Sequence, residues 1–371
     1  MSAGKRVAAA RAAARPAARP AARPAPRRGP VRVGVIGVGF MGRTHVHAYR
    51  AANAAGFRNT LVAVCDPDPA RRAGRVPVSG NLAAENDAPP RLFDPREVDG
   101  HGRPEELLAR KDIDLVSICT WTDTHVDLAL AALAAGKHVL LEKPVALRER
   151  PAARLAAAAR AASTLCMPAL CMRFWPGWDL LREAVSDHRW GALRSAAFRR
   201  LAARPAWGAG FYGDIERSGG ALFDLHVHDA DFVSFCLGPP RAVLTGGSLD
   251  HLTTIYRYEA PGPEHVTAEA GWDHDAAWPF RMAYTAVFAH ATLDYDSTRA
   301  APLRLFREGV EQPVELPDGT GYDGEVRHLL GAIARGAGNG GLLSTCDEAE
   351  ALTRLLLAEQ RSLGSGVAVE P

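Results

Sequence analysis

No run of about 18 uncharged apolar residues occurs in the chain, which excludes a membrane-spanning helix. No C-x-x-C pair occurs either. Cys65, Cys119, Cys166, Cys171, Cys236 and Cys346 are therefore read as reduced core residues of a reducing, cytoplasmic compartment. Acid is missing from residues 1–30, which hold eight basic residues, several in an Arg-Pro-Ala-Ala repeat at Arg15-Pro16, Arg19-Pro20 and Arg23-Pro24. Proline at that frequency prevents a continuous helix, no apolar segment follows as a secretory signal requires, and the aromatics that stack on bases are absent. A disordered basic tail is expected there. Large net charge is lacking too: 44 Lys+Arg stand against 42 Asp+Glu, for +2 overall. Without the tail's eight, 36 basic residues face 42 acidic ones, a net of −6. A body of that sign invites neither nucleic acid nor an anionic membrane. What remains is an ordinary globular composition, and 371 residues suit two domains.

The body opens on a short β-branched run, Val31–Ile36, followed by Gly37-Val38-Gly39-Phe40-Met41-Gly42 and a helical stretch through Tyr49 to Ala55. In a strand–turn–helix unit each glycine has its own task. Gly37 permits the tight turn, Gly39 lets backbone approach a pyrophosphate, and Gly42 lets the helix pack on the strand. Amides at the helix N-terminus then face the anion. A second strand, Leu61–Cys65, ends at Asp66, 24 residues past Gly42. That is close to the spacing of the carboxylate that holds an adenine-ribose diol, so NAD is favoured, with NADP allowed by Arg71 and Arg72 just beyond. Residues 76–111 read as an irregular excursion ending in a short helix, Pro104–Arg110. The buried run Leu115–Thr120, a helix capped by Asp123 or Thr124 and stopped at Gly136, and the strand His138–Leu141 continue an alternating β/α pattern, which means a doubly wound parallel sheet. Ligands sit at the carboxyl ends of such strands, where Thr120, Trp121, Thr122, Glu142 and Lys143 all fall.

Beyond residue 152 the period changes. A helix over 152–162 and a strand over Thr164–Cys171 come first. Strands are then predicted at Leu193–Leu201, Ala242–Leu249, Thr253–Tyr258, His265–Trp272, Met282–Tyr295 and Leu303–Phe306, with helices at Glu325–Ala334 and from the Thr345-x-x-Glu348 capping box to Leu363, closed by Gly364. Within this half, Asp224 and His228 share a face if their segment is an α-helix, and a carboxylate one turn from an imidazole makes a proton-transfer unit. His226, His228 and Asp229 resemble a metal cluster with His274 as a speculative partner, but no third ligand is placed by spacing and no metal is expected. Trp175, Trp178 and Trp207 are candidates for an aromatic wall or for core.

Taken in order, Gly37–Gly42 after a strand, Cys119-Thr120 with His125 beyond, Glu142-Lys143-Pro144, and Gly219-Gly220 followed by Asp224-x-x-x-His228 resemble the Gfo/Idh/MocA oxidoreductases over about residues 31–366. The resemblance implies an α/β fold: a Rossmann NAD(P)-binding domain over 31–146, and over 147–366 a C-terminal α/β domain with a large, mostly antiparallel open sheet, leaving 1–30 and 367–371 as tails. It implies a nicotinamide cofactor, a homodimer or homotetramer, and oxidation of a hydroxyl on a sugar, inositol or related polyol. By motif, Lys143, Asp224 and His228 are catalytic. Gly37, Gly39, Phe40, Met41, Gly42, Asp66, Thr120, Trp121, Thr122, His125, Glu142, Lys143 and Arg173 bind cofactor, Arg173 near the nicotinamide. The chain departs from the family pattern where Trp121 replaces a frequent proline, Met172 replaces a frequent asparagine, and His226 adds an imidazole. Two other readings stand beside this one. A glycosidase of the same fold would use bound NAD in a transient oxidation and give hydrolysis without accumulating NADH. A non-enzymatic dinucleotide-binding regulator would need no proton-transfer group.

Overall fold

The computed structural model describes residues 29–76, 91–206, 208 and 210–371. The basic tail to residue 28, part of the 76–111 excursion, and Trp207 lie outside these described residues.

Six strands form the first sheet: β1 Val31–Ile36, β2 Asn59–Cys65, β3 Asp99–His101, β4 Leu115–Ile118, β5 His138–Leu141 and β6 Cys166–Pro168. All pair in parallel, in the order β3-β2-β1-β4-β5-β6. The central strands are buried along almost their whole length because both faces are covered. Helices Phe40–Ala54 and Gly321–Ala334 share a core with one face, and helices His125–Ala134 and Glu149–Ala161 with the other. Gly321–Ala334 arrives from the far end of the chain to lie on Phe40–Ala54. The strand order reverses between β1 and β4, and a crevice opens beyond the carboxyl ends of these two strands. The loops after β1 and β4 carry Gly37 and Thr120. This sheet runs past residue 146, since β6 and the helix before it belong to it.

The second sheet has eight strands: β7 Leu193–Ala203, β8 Ala242–Gly247, β9 His251–Arg257, β10 His265–His274, β11 Arg281–Phe288, β12 Thr292–Asp296, β13 Leu303–Arg307 and β14 Val310–Pro313. Their order is β14-β13-β12-β11-β7-β10-β9-β8, and only β7 and β10 run parallel. Helices Trp178–Ser186 and Val227–Leu237 cover its inner face around Trp178, Phe232 and Tyr284.

Four local expectations change. The single strand predicted over Met282–Tyr295 is two, because the chain reverses at Ala289-His290-Ala291 to pair β11 with β12. The strand over Thr164–Cys171 shortens to β6, since a 3₁₀ turn at Cys171–Phe174 swings the chain into the second domain. The Thr345–Glu348 capping box forms, but its helix continues to Ser365 and closes at Gly366, which takes φ +70°. The segment Leu222–His226 is a π-turn, and the α-helix starts only at Val227.

Candidate active site

The glycine turn is built as its spacing requires. Gly37 has φ +85°, and a Cβ there would lie 2.5 Å from the carbonyl oxygen of Cys119. A Cβ on Gly42 would fall 2.0 Å from the Gly37 carbonyl oxygen, so only glycine lets the helix sit this close to β1. Gly39 differs: a Cβ there would meet only the Arg71 guanidinium, at 3.7 Å. The turn is thus tight on its inner side and open at its middle glycine, at the N-terminus of the helix Phe40–Ala54, where an anionic group fits. Asp66 stands at the tip of β2, buried, with one oxygen accepting from the Val38 amide (2.8 Å) and the other from the Asp68 amide (2.9 Å). Arg71 lies 3.7 Å from the same carboxylate, while Arg72 donates to the carbonyls of Asp66 and Pro67. These residues could hold a dinucleotide: an open glycine at a helix N-terminus suits a pyrophosphate, and a strand-end carboxylate suits a ribose diol.

At the tips of β4 and β5 the chain is locked by buried histidines. His125 places Nδ1 2.8 Å from the Pro144 carbonyl and Nε2 3.0 Å from the Thr120 carbonyl, tying the β4 loop to Glu142-Lys143-Pro144. Burial holds its pKa below the usual histidine value, so the ring is neutral and donates to one of the two carbonyls. Thr122 is buried beside it, and Thr120 shares a hydroxyl bond with Thr124 (2.7 Å). Glu142 accepts from His45 Nε2 (3.0 Å) and from the Lys143 amide (3.1 Å), and His45 reaches Ser117, which meets Tyr49. Burial alone would raise the Glu142 pKa, but the His45 bond and charge outweigh it and the net shift is downward. Glu325, 3.7 Å from His45, is fully buried, and neither of its oxygens is hydrogen-bonded among the described residues. Burial and then the charge of Glu142 push its pKa well up, which keeps its carboxyl protonated.

In front of this network lies a cleft open to solvent, between the two sheets. Phe40 and Met41 of the glycine turn line it, with Glu142, Lys143, Asp224 and His228. Lys143 Nζ donates to the Asp224 carbonyl (2.7 Å) and carboxylate (3.1 Å). The segment that carries Asp224 is a π-turn, and Asp224 and His228 meet different partners. Asp224 points to Lys143 and His228 to Cys171 Sγ, 3.9 Å from Nδ1. No hydrogen bond joins the two among the described residues, so Asp224 does not orient the imidazole directly. Burial, then the charges of Lys143 and Arg200, hold the His228 pKa well below its ordinary value. The ring is neutral and able to take a proton.

The cleft brings in residues that sequence reasoning missed. Arg200 enters from β7 in a bidentate pair with buried Asp229, both contacts 3.0 Å. Tyr212, Phe280, Met282 and Tyr322 complete the wall with Met172 and Trp175. The unpartnered acid at Asp229, next to His228, was the one available signal for Arg200. The wall residues come from loops and strands whose facing depends on the second sheet's register.

Other assignments move. Arg173 does not reach the cleft: its guanidinium pairs with buried Asp231 (2.6 and 3.0 Å) and with the Leu343 carbonyl (2.7 Å). His226 faces the core, 2.8 Å from Glu359 and 3.0 Å from the Tyr256 hydroxyl, and Asp229 pairs with Arg200, so the His226–His228–Asp229 cluster does not assemble. Trp178 is fully buried core. Trp121 projects from the β4 loop and stacks on Phe211 of the second domain, centroids 4.4 Å apart, with Tyr212 edge-on. Arg217 strengthens this bridge by pairing with Asp123 (2.8 Å).

A glycine cradle at a sheet crevice, facing a lysine–carboxylate–histidine cleft, defines a dinucleotide-binding protein equipped for proton transfer. Residues 31–170 match the family model described as oxidoreductase family, NAD-binding Rossmann fold, and residues 178–305 match the GFO/IDH/MocA C-terminal domain. The chain belongs to this GFO/IDH/MocA family, and its first domain is an NAD-binding Rossmann domain. Inositol 2-dehydrogenase of Rhizobium meliloti (strain 1021) is 35% identical over 218 residues, which cover 58% of this chain and 57% of that protein. The 1,5-anhydro-D-fructose reductase of Ensifer adhaerens is 33% identical over 142 residues, covering 38% and 43%. The chain spans about half the length of the curated relatives it matches. Levoglucosan dehydrogenase, solved with NADH and L-sorbose, shares the fold with a TM-score of 0.75 at 19% identity, over 92% of this chain and 99% of that one. Among the described residues, no helix is long and apolar enough to cross a membrane.

Proposed function

We propose that the protein is an NAD(P)-dependent dehydrogenase acting on a CH–OH group of a sugar, inositol or related polyol. The observation that carries this reading is the convergence of Lys143, Asp224 and His228 on a cleft also lined by Phe40 and Met41 of the glycine turn. Bound NAD supplies the hydride acceptor. Lys143 holds the reacting hydroxyl oxygen and stabilises the negative charge that grows there. His228, kept neutral by its surroundings, removes the hydroxyl proton at a ring nitrogen. Asp224 holds the Lys143 ammonium in place and accepts from a neighbouring hydroxyl, which favours a vicinal diol. Glu142, fixed by His45, anchors the backbone from which Lys143 projects. Arg173 belongs to the frame behind the cleft, bracing Asp231 on the helix that begins just before His228. The protein works as a homodimer or homotetramer in the cytoplasm. The test is a screen for NAD(P)H absorbance over a panel of polyols and aldoses with both cofactors. Turnover of at least one vicinal diol is expected. Hydrolysis of glycosides without net NADH, or tight nucleotide binding with no turnover of any panel member, would overturn the reading.

A further inference from the structure

A second cluster of chemistry-bearing side chains lies outside the cleft, at one end of the β9–β10 pair. His251 begins β9, and the register sets it opposite Gly271 of β10. A Cβ on Gly271 would be 2.7 Å from His251 Nδ1, so the glycine is what lets the imidazole lean across β10. Two residues on, the pairing of β10 with β7 slips: Asp273 and His274 both oppose Ala203. A bulge of this kind re-aims side chains that would otherwise alternate between faces. Consecutive residues Asp273 and His274 therefore both turn towards His251.

The distances are those of a ligand set. His251 Nδ1 is 2.8 Å and His274 Nδ1 3.6 Å from the same Asp273 oxygen, and one donor atom of each residue lies within 4.8 Å of the others. Tetrahedral zinc with bonds of about 2.0–2.2 Å separates its ligand atoms by about 3.3 Å, between the two values. The remote nitrogen of His251 is 3.2 Å from Glu269, which in turn pairs with Arg199 at 3.0 Å. A carboxylate behind a ligating imidazole fixes the tautomer and raises ligand basicity. With Nε2–H given to Glu269, the Nδ1 lone pair of His251 faces the Asp273 carboxylate, and only a proton or a metal ion relieves that contact. His274 Nδ1 is buried and has no hydrogen-bond partner among the described residues, although it points at the same oxygen.

We propose that His251, Asp273 and His274 form a site for a divalent transition-metal ion of the zinc type, with the fourth position left to water. Two imidazoles and one carboxylate form a borderline donor set that suits Zn²⁺ better than Ca²⁺ or Mg²⁺. A bound ion clasps the start of β9 to the end of β10, and none of its ligands lines the cleft. Trp272, next to Asp273, does meet the cleft residue Tyr212 edge-on, with centroids 6.0 Å apart, so the clasp steadies that wall.

The test uses the full chain, stripped with a chelator and titrated with Zn²⁺ by calorimetry, alongside thermal melts with and without the ion. One equivalent is expected to bind with micromolar or tighter Kd and to raise Tm. The affinity should fall at least about tenfold in His274→Ala and in Asp273→Asn, and about 10- to 100-fold in Glu269→Gln through the lost support. Lys143→Ala, which leaves the cluster intact, should bind Zn²⁺ as the parent does. Circular dichroism confirms that each variant is folded before titration. No saturable binding to the parent chain, or binding unchanged in a folded His251→Ala/His274→Ala double variant, would overturn the proposal.

Discussion

Replacing Lys143 by Met tests the proton-transfer reading most directly. The thioether is one atom shorter and keeps an unbranched apolar stem, but it removes the ammonium that bonds the Asp224 carbonyl at 2.7 Å and its carboxylate at 3.1 Å. Both partners are more than three-quarters covered, with 14% and 20% of their side-chain surface exposed. The fold should therefore lose about 1–3 kcal/mol, the typical range for a charged hydrogen bond removed at a covered site. Catalysis should lose far more. One positioned proton-transfer or oxyanion-holding group is worth about 10²–10⁴ in rate, or about 3–5 kcal/mol. NAD affinity should change less than about threefold, because the glycine turn and Asp66 are untouched. The pH profile gives an independent readout. After burial, the charge of Lys143 is the next cause that depresses the His228 pKa. Without it the imidazole takes up a proton at higher pH, so the acid limb of kcat/KM must move upward. Steady-state rates of NADH formation across pH, with calorimetric NAD titration, read all three effects. More than a tenth of the parent kcat in Lys143→Met, or an acid limb that stays in place or moves down, would refute the assignment.

The glycines separate fold from ligand: Gly42→Ala should destabilise the protein by more than about 3 kcal/mol because its Cβ meets backbone at 2.0 Å, whereas Gly39→Ala should keep the parent Tm and weaken NAD at least tenfold. Equal Tm values for the two would contradict the cradle. Asp66→Ala should raise the KM for NAD about tenfold or more and shift preference towards NADP, since Arg71 stays beside the vacated position; kinetics with both cofactors decide it. Glu325 has a folded pKa raised above the unfolded value of about 4.3, so the native state keeps a proton that the unfolded chain releases. Stability from this group is therefore full below that unfolded pKa and falls by about 1.4 kcal/mol per pH unit as pH rises towards the folded pKa. Glu325→Gln cannot ionise, so its Tm should decline less than the parent's from about pH 5 to 8, and parallel curves would sink the argument.

What the sequence made legible was local. The strand Val31–Ile36, the turn Gly37–Gly42 and the strand-end position of Asp66 are placed as expected, because backbone sterics fix them within a few residues. Lys143 is legible for a similar reason, being two residues past the buried run of β5. Arg200 was not, because its position in the cleft depends on the β7 register and on a partner 29 residues away. The Trp121–Phe211 stack joins two loops from different domains, and nothing in either loop's pattern announces the other. Met282–Tyr295 failed as a single strand because Ala289-His290-Ala291 contains neither glycine nor proline, and the reversal is dictated by pairing between β11 and β12.

At residues 222–228 the spacing was legible and the partners were not. An Asp-x-x-x-His spacing puts the two residues near one helical face, in the π-turn Leu222–His226 as in an α-helix, but it does not say which groups each side chain meets. Asp224 holds Lys143, and His228 approaches Cys171. The intervening His226 is sent into the core against Glu359 and Tyr256. A carboxylate bonded to the imidazole would have raised its pKa. Here the carboxylate is committed to the ammonium, and the charges of Lys143 and Arg200 add to burial in lowering the imidazole's pKa, which leaves a neutral base beside a positive charge. That polarity suits removal of a proton from a hydroxyl whose oxygen is growing negative. It is set by the partners each side chain meets rather than by the identities of the two residues alone.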